Sequence, residues 1–231
     1  MAVLAKSALR EAFALGDIKF MAEDGSVLRE WSIQPTFVMP SDPQPTLAGL
    51  ISDSVLDGFA FEQGDPEGLQ CMSLDMHLGD EWLIPQANLY FEGGEAIDTA
   101  RKIHYTERKC PSITIPAHGF ILGRTLEVIQ LSPELSAHVD GRSSFGRAGV
   151  FVQNAGYVDG GFAGSITLEL YNANSCPIII YAGTKACQLV VTDTVGDSEG
   201  GYKGQYQGQI HPKGSGIWKH VPKSWEGRPN V

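Results

Sequence analysis

A series of short, strand-like runs separated by turn residues limits this chain to an all-β fold more strongly than any other feature. The 27 glycines and 13 prolines, about one in six of 231 residues, favour strands joined by turns over a helical bundle. We therefore predict a sandwich, barrel or jelly roll. The predicted strands are Ser112–Ile115, Phe120–Ile129, Val150–Gln153, Ser165–Tyr171, Pro177–Tyr181 and Ala186–Thr192.

The region before these strands is predicted to add one helix and one strand. Ser7 can cap a short helix that Gly16 ends. Ser73–Leu78 alternates apolar and polar residues, which predicts a half-buried strand. The segment 31–68 is rich in Pro, Asp and Gly and is predicted to form long loops. The apolar face of the helix consists of Leu9, Ala12 and Phe13.

Charge and composition exclude several classes of function. A net charge of −10 argues against general nucleic-acid binding, which needs a basic surface. No apolar run approaches the roughly 20 residues of a membrane span, and the N-terminus lacks a secretory pattern. The widely spaced cysteines predict reduced core residues of a cytoplasmic protein. They are Cys71, Cys110, Cys176 and Cys187.

Two segments carry candidate chemistry. Residues 140–147 combine two arginines, two serine hydroxyls and glycines, and they favour either an anion-binding loop or a polar turn. Asp159 and Gly160 predict a hairpin turn. On the alternating run after it, Glu169 faces either solvent or a cleft, and in a cleft it would be a general base on a rigid strand. The sequence has neither a P-loop nor a zinc-deaminase signature.

Together these segments resemble the dCTP deaminase branch of the trimeric dUTPase-like superfamily. The resemblance implies a distorted jelly roll and a homotrimer with active sites between subunits. It also implies zinc-free chemistry with Mg²⁺ carried by the triphosphate. The motifs that carry it are Ser73-Leu74-Asp75, Gly141-Arg142-Ser143-Ser144-x-x-Arg147, Ala155-Gly156-x-x-Asp159-x-Gly161-Phe162, Ile166-Thr167-Leu168-Glu169-Leu170 and Tyr206-Gln207-Gly208-Gln209.

The resemblance also implies residue roles. Glu169 takes a proton from the water that attacks C4 of cytosine and delivers it to the leaving ammonia. Ser143 holds this water, and Arg147 keeps Glu169 ionised. Asp159 contacts the sugar and can position a second water at the phosphate. The residues implied in substrate binding are Arg142, Ser144, Ala155, Gly156, Tyr202, Lys203, Tyr206 and Gln209.

The product and the tail leave alternatives open. With a glycine at position 156, the chain resembles the family members that continue from dCTP to dUMP, diphosphate and ammonia. Such members supply dUMP for thymidylate synthesis. The alternatives are a deaminase that releases dUTP, a dUTPase, or a non-catalytic nucleotide-binding relative; dUTP and dTTP are further candidate ligands. Family tails usually carry a lysine where this chain has Gln205, and Lys203 is the candidate replacement.

The chain is accordingly divided into three parts. Residues 1–70 are predicted to form the helix and long loops packed on the core, and residues 71–195 the dUTPase-like β core. Residues 196–231 begin as a glycine-rich stretch and are predicted to form a flexible tail that closes over the triphosphate. Neither nucleic acid nor membrane is expected as a partner.

Overall fold

The fold is built almost entirely of antiparallel strands. A computed structural model describes residues 3–21, 27–28, 69–86, 102–153, 156–196 and 199–222. The helices are α1 (Lys6–Leu15), α2 (Ser143–Arg147) and a 3₁₀ helix (Ile217–Lys219). The strands are β1 (Ile18–Met21), β2 (Val27–Leu28), β3 (Leu74–His77), β4 (Glu81–Pro85), β5 (Tyr105–Lys109), β6 (Ser112–Ile115), β7 (Phe120–Leu131), β8 (Leu135–Gly141), β9 (Val150–Gln153), β10 (Tyr157–Val158), β11 (Ala163–Asn172), β12 (Ile178–Tyr181) and β13 (Lys185–Asp193).

These strands form three sheets around one hydrophobic core. The largest has the order β2-β1-β7-β11-β9, with β4 joining β7 and β5 joining β4. A second sheet has the order β10-β8-β13-β3, and β12 pairs with β6 in a small third sheet. Apolar side chains from all three sheets and from α1 meet in a single buried cluster. The prediction of an all-β fold with a short N-terminal helix is confirmed.

Helix α1 lies where the sequence predicts it, but its cap differs. Gly16 ends the helix in the left-handed conformation, at φ 82°, which glycine adopts without a steric cost. The residue at the N-cap is Ala5, and Ser7 lies inside the first turn because the helix begins at Lys6. The predicted Ser7 cap is therefore wrong. The predicted apolar face is buried, and it consists of Leu9, Ala12 and Phe13.

Strand β3 is buried on both faces, so the prediction of a half-buried strand is wrong. Its polar residues are accommodated by buried polar partners. The His77 ring lies 2.6 Å from a carboxylate oxygen of Glu127. Asp75 accepts a hydrogen bond from Gln70 at 3.0 Å and forms an ion pair with Arg142. Alternation in the sequence therefore marks two chemically different buried faces.

The Asp159–Gly160 turn is present, but it does not close a hairpin. The Phe162 amide donates to the Asp159 carbonyl at 3.2 Å. The strand before this turn, β10, pairs with β8, whereas the strand after it, β11, pairs with β7 and β9. The turn therefore carries the chain from one sheet to another, which places its residues at the edge between the sheets.

The cysteines follow the prediction only in part. All four are free, yet Cys71 and Cys176 are exposed and only Cys187 is fully buried. The expectation of four core cysteines is therefore wrong, because two of them lie on surface segments. The predicted loops at 31–68 lie outside the described residues.

None of the helices in the described ranges is both long and apolar enough to cross a membrane.

Candidate active site

A cavity of about 500 Å³ opens between β11, the turn that follows β10, and the C-terminal tail. Its walls are largely aromatic and aliphatic, and two carboxylates, Asp159 and Glu169, lie in it. Apolar walls with a few convergent polar groups are typical of small-molecule sites. Of the predicted site residues, six line this cavity: Gly156, Asp159, Glu169, Tyr202, Tyr206 and Gln209.

Glu169 is held in the cavity by the strand that carries it. Its backbone neighbours are Leu122 on β7 and Gln153 on β9, so both edges of β11 are paired at this position. Leu168 and Leu170 are fully buried on the other face of the strand, which fixes the direction in which Glu169 points. The cleft interpretation of Glu169 therefore holds in the structure, and a rigid strand orients its carboxylate.

The surroundings of Glu169 favour a proton-transfer role. Burial raises the pKa of this carboxyl above its ordinary value. Within the described residues, the Glu169 side chain has neither a hydrogen-bond donor nor a cation beside it. A carboxyl with a raised pKa and no fixed partner can accept a proton and release it again.

The tail docks directly on β11. The Ser165 amide donates to the Gln209 carbonyl at 2.7 Å, and the Gln209 side-chain nitrogen donates to the Ser165 carbonyl at 2.6 Å. A side chain at Gly164 would approach the Gln209 carbonyl to 2.6 Å, so only glycine permits this contact. Upstream, the Tyr202 ring packs against Phe162 with centroids 5.9 Å apart.

The docked segment extends past the predicted motif. Lys213, Gly214 and Ser215 also line the cavity. The Ser215 amide donates to the Tyr105 hydroxyl at 3.1 Å. Sequence reasoning missed these residues, since their positions depend on contacts with strands more than 40 residues away along the chain.

A charged contact fastens this extension to the sheet. His211 Nδ1 lies 2.9 Å from a carboxylate oxygen of Glu81, which also accepts a hydrogen bond from the buried Arg124 at 2.9 Å. Burial acts to raise the pKa of Glu81, but the His211 hydrogen bond and the Arg124 charge outweigh it and hold the pKa below its ordinary value. The carboxylate therefore stays ionised and attracts His211.

The residues predicted around α2 do not reach the cavity of their own chain. Ser143, Ser144 and Arg147 are exposed on the helix, and none of them lines the cavity. The chain after α2 reaches β11 where the Ala173 amide donates to the Gly149 carbonyl at 2.8 Å. Ala173 follows Glu169 by four residues, about 13 Å along an extended strand. Half of the predicted catalytic set therefore lies outside the cavity that contains Glu169.

Three predicted binding residues have other positions. Arg142 pairs with the buried Asp75, and its side chain is 29% exposed. Lys203 is exposed outside the cavity, and its Nζ lies 3.4 Å from the Glu199 carbonyl. Ala155 lies outside the described residues.

Across the described ranges, no group of three or more His, Cys, Asp or Glu side chains is placed to hold a metal ion. Among the described residues that line the cavity there are two carboxylates and no histidine or cysteine.

The β core holds a half-buried carboxylate in a cavity that a docked tail closes. This arrangement is typical of enzymes that act on small molecules. A family model described as dCTP deaminase-like matches residues 48–194, well over half of the chain. The chain therefore belongs to the dCTP deaminase-like family, and the resemblance seen in the sequence is confirmed.

Individual relatives agree with this family. A Sulfurihydrogenibium protein named "dCTP deaminase, dUMP-forming" is 43% identical over 170 residues, which cover 71% of this chain and 89% of the relative. An Aquifex aeolicus protein of the same name is 40% identical over 148 residues, which cover 64% of this chain and 80% of the relative.

A solved structure shares the fold. The crystal structure of 2′-deoxycytidine 5′-triphosphate deaminase from Agrobacterium tumefaciens matches with a TM-score of 0.50 at 19% identity. The match covers 83% of this chain and 48% of that chain, so this protein spans about half the length of its structural neighbour.

Proposed function

We propose that this protein is a dCTP deaminase that forms dUMP, converting dCTP and water to dUMP, diphosphate and ammonia. The observation that carries the proposal is the Glu169 carboxylate, held by a doubly paired strand in a cavity that Asp159 also lines. Relatives at 40–43% identity bear the name of this reaction, which favours it over dUTP release, dUTP hydrolysis alone or simple nucleotide binding.

In the first step Glu169 acts as the proton shuttle. It accepts a proton from a water molecule while the water oxygen forms a bond to C4 of cytosine. That proton is then delivered to the exocyclic amino group, and the remaining proton of the added hydroxyl passes to N3. The C4–N bond breaks, and ammonia leaves a uracil ring with a C4 carbonyl. The raised pKa of Glu169 suits both halves of this transfer, because its carboxyl can give the proton back readily.

In the second step Asp159 serves the other end of the nucleotide. It orients a water molecule and takes a proton from it as the water oxygen forms a bond to the α-phosphorus. The bond from the α-phosphorus to the bridging oxygen breaks, and dUMP and diphosphate are formed. Asp159 is exposed on the turn beside the cavity, ten residues from Glu169 along the chain, so the two carboxylates can serve different parts of one substrate. Gly156, which lines the same cavity, leaves room for cytosine and then uracil.

The complete site requires more than one subunit. Ser143 would hold the first water and Arg147 would lie beside Glu169, yet both are exposed outside the cavity of their own chain. A threefold assembly would bring α2 of one subunit to the cavity of another. We therefore propose a homotrimer with active sites between subunits.

Magnesium is proposed to enter with the substrate, bound to the triphosphate whose charge it partly neutralises. The described residues that line the cavity include neither histidine nor cysteine, the ligands that zinc prefers beside carboxylates. We therefore expect elemental analysis of active protein to find no stoichiometric zinc. A cytoplasmic location is proposed because two of the four free cysteines are exposed, which suits a reducing compartment.

The test is product analysis after incubation with dCTP and magnesium. We expect dUMP, diphosphate and ammonia in equal amounts with little free dUTP. Accumulation of dUTP in step with ammonia would show a deaminase without the second step. Asp159→Asn should then lower diphosphate release more than ammonia release, since the amide cannot orient the second water as a base.

A further inference from the structure

The cavity holds an uneven set of charges. Asp159 and Glu169 contribute two carboxylates, and Lys213 is the one cationic side chain among the described residues that line it. A nucleoside triphosphate carries several negative charges into this space. Cationic groups must balance them, because burying an uncompensated charge is costly. Among the described residues, Lys213 is therefore the cationic residue available to an anion bound in the cavity.

Lys213 is anchored at its backbone to the strand that carries Glu169. The Lys213 amide donates to the Thr167 hydroxyl at 3.1 Å. Thr167 precedes Glu169 by two residues on the same face of β11, about 7 Å along the strand. The base of the Lys213 side chain is thus fixed relative to the proposed catalytic carboxylate.

The ammonium of Lys213 lies against the upstream part of the same tail, at Gln205. Its Nζ donates to the Gln205 carbonyl at 3.2 Å, beside Tyr206, which lines the cavity. It has no carboxylate partner among the described residues. A phosphate oxygen would replace this neutral acceptor with an anionic one, and charge-assisted hydrogen bonds are roughly twice as strong.

Glu169 is not the partner of this ammonium. A cation close to Glu169 would lower the pKa of that carboxyl, whereas burial raises it. Lys203 is also a poor alternative, because it lies outside the cavity with its Nζ at the Glu199 carbonyl. A lysine ammonium has three donors, and among the described residues the Gln205 carbonyl accepts from this one, which leaves donors for an anionic ligand.

We propose that Lys213 is a substrate-binding residue that contacts the triphosphate, supplying the positive charge that the tail lacks at Gln205. The inference rests on the proposed function for the identity of the nucleotide. Lys213 contacts the phosphates alone and takes no part in proton transfer at the base. Its removal should therefore weaken substrate binding more than it slows the chemical step.

The first experiment compares steady-state kinetics with dCTP. Lys213→Met should raise KM about tenfold with a smaller change in kcat, the size expected for losing one hydrogen bond to a charged group. Lys213→Arg should stay close to wild type, since it keeps the charge. The control is Lys219→Met, which removes the same charge from the same tail at a lysine that contacts the Trp218 ring outside the cavity.

The second experiment measures binding of inorganic tripolyphosphate and of deoxycytidine by calorimetry. Lys213→Met should weaken tripolyphosphate binding and leave deoxycytidine binding unchanged. The tripolyphosphate difference should shrink as salt is raised, because salt screens an exposed charge.

The two experiments separate the inference from the function on which it rests. A wild-type protein that binds tripolyphosphate through Lys213 but releases no ammonia from dCTP would refute the proposed function alone. Equal KM and equal tripolyphosphate affinity in wild type and Lys213→Met would refute the role of Lys213. An equal loss of deoxycytidine and tripolyphosphate binding would also refute it, because the residue would then only hold the tail in place.

Discussion

Strand β11 carries the predicted proton shuttle Glu169, helix α2 carries the predicted Ser143 and Arg147, and the two elements differ in almost every structural respect. β11 is paired on both edges, and its Glu169 lies in a cavity. α2 has five residues, is anchored by the buried Phe145, and presents Ser143 and Arg147 on the surface.

The difference supports the proposed division of the site between copies of the chain. Side chains that need fixed geometry for proton transfer are mounted on the strand, where packing on the opposite face orients them. Exposed polar side chains on a short helix acquire a defined geometry only when another surface covers them. On this view one chain holds the cavity and the proton shuttle, and its neighbour supplies the serine and the arginine.

The largest effect is expected from removing the strand's carboxylate. Glu169→Gln keeps the shape of the side chain but cannot shuttle a proton, so ammonia release from dCTP should fall by about 10² to 10⁴. The matched control is Glu134→Gln, the same change at an exposed side chain outside the cavity. Substantial residual turnover would remove Glu169 from its assigned role.

A mixing experiment tests whether the two regions meet across subunits. Glu169→Gln and Arg147→Met proteins, each strongly impaired alone, are unfolded together in equal amounts and refolded. In random trimers, about half of the sites receive an intact Glu169, and about half of these also receive an intact Arg147 from the neighbouring subunit. Activity should therefore return to about a quarter of the wild-type value. If the mixture stays as inactive as its components, both residues act within one chain.

Removing the tail opens the cavity without touching either catalytic half. Truncation after Gly201 deletes Tyr202, Tyr206 and Gln209 and should lower kcat/KM for dCTP by roughly 10- to 100-fold, since several hydrogen bonds and the exclusion of water are lost. Truncation after Pro222 is the control, because it keeps every described contact of the tail. Equal kinetics for the two proteins would make the docked tail dispensable.

The smallest effect concerns pH. Burial raises the pKa of Glu169 above 4.5, and a neighbouring Arg147 would lower it again by favouring the carboxylate. The deaminase needs the ionised form, so activity is lost as pH falls through this pKa. The residual activity of Arg147→Met should therefore show an acid limb of kcat/KM at higher pH than the wild type. An unshifted limb would mean that Arg147 does not lie beside Glu169.

The sequence by itself determined seven of the thirteen strands that the described residues form, and the position of the key carboxylate. Turn residues bound the runs that became β6, β9 and β11, and alternation along β11 placed Glu169 opposite fully buried leucines. These signals are local, because strand geometry puts successive side chains on opposite faces wherever the strand lies. The resemblance to dCTP deaminases rested on the same short motifs.

Tertiary structure alone decided what those faces meet. It covered the polar face of β3 with Glu127 and Arg142, and it brought Lys213 and Ser215 to the cavity through Thr167 and Tyr105. It also kept the serines and arginine of α2 away from Glu169 in the same chain. The physical reason is that burial and proximity depend on contacts between segments far apart in sequence, which local periodicity does not encode.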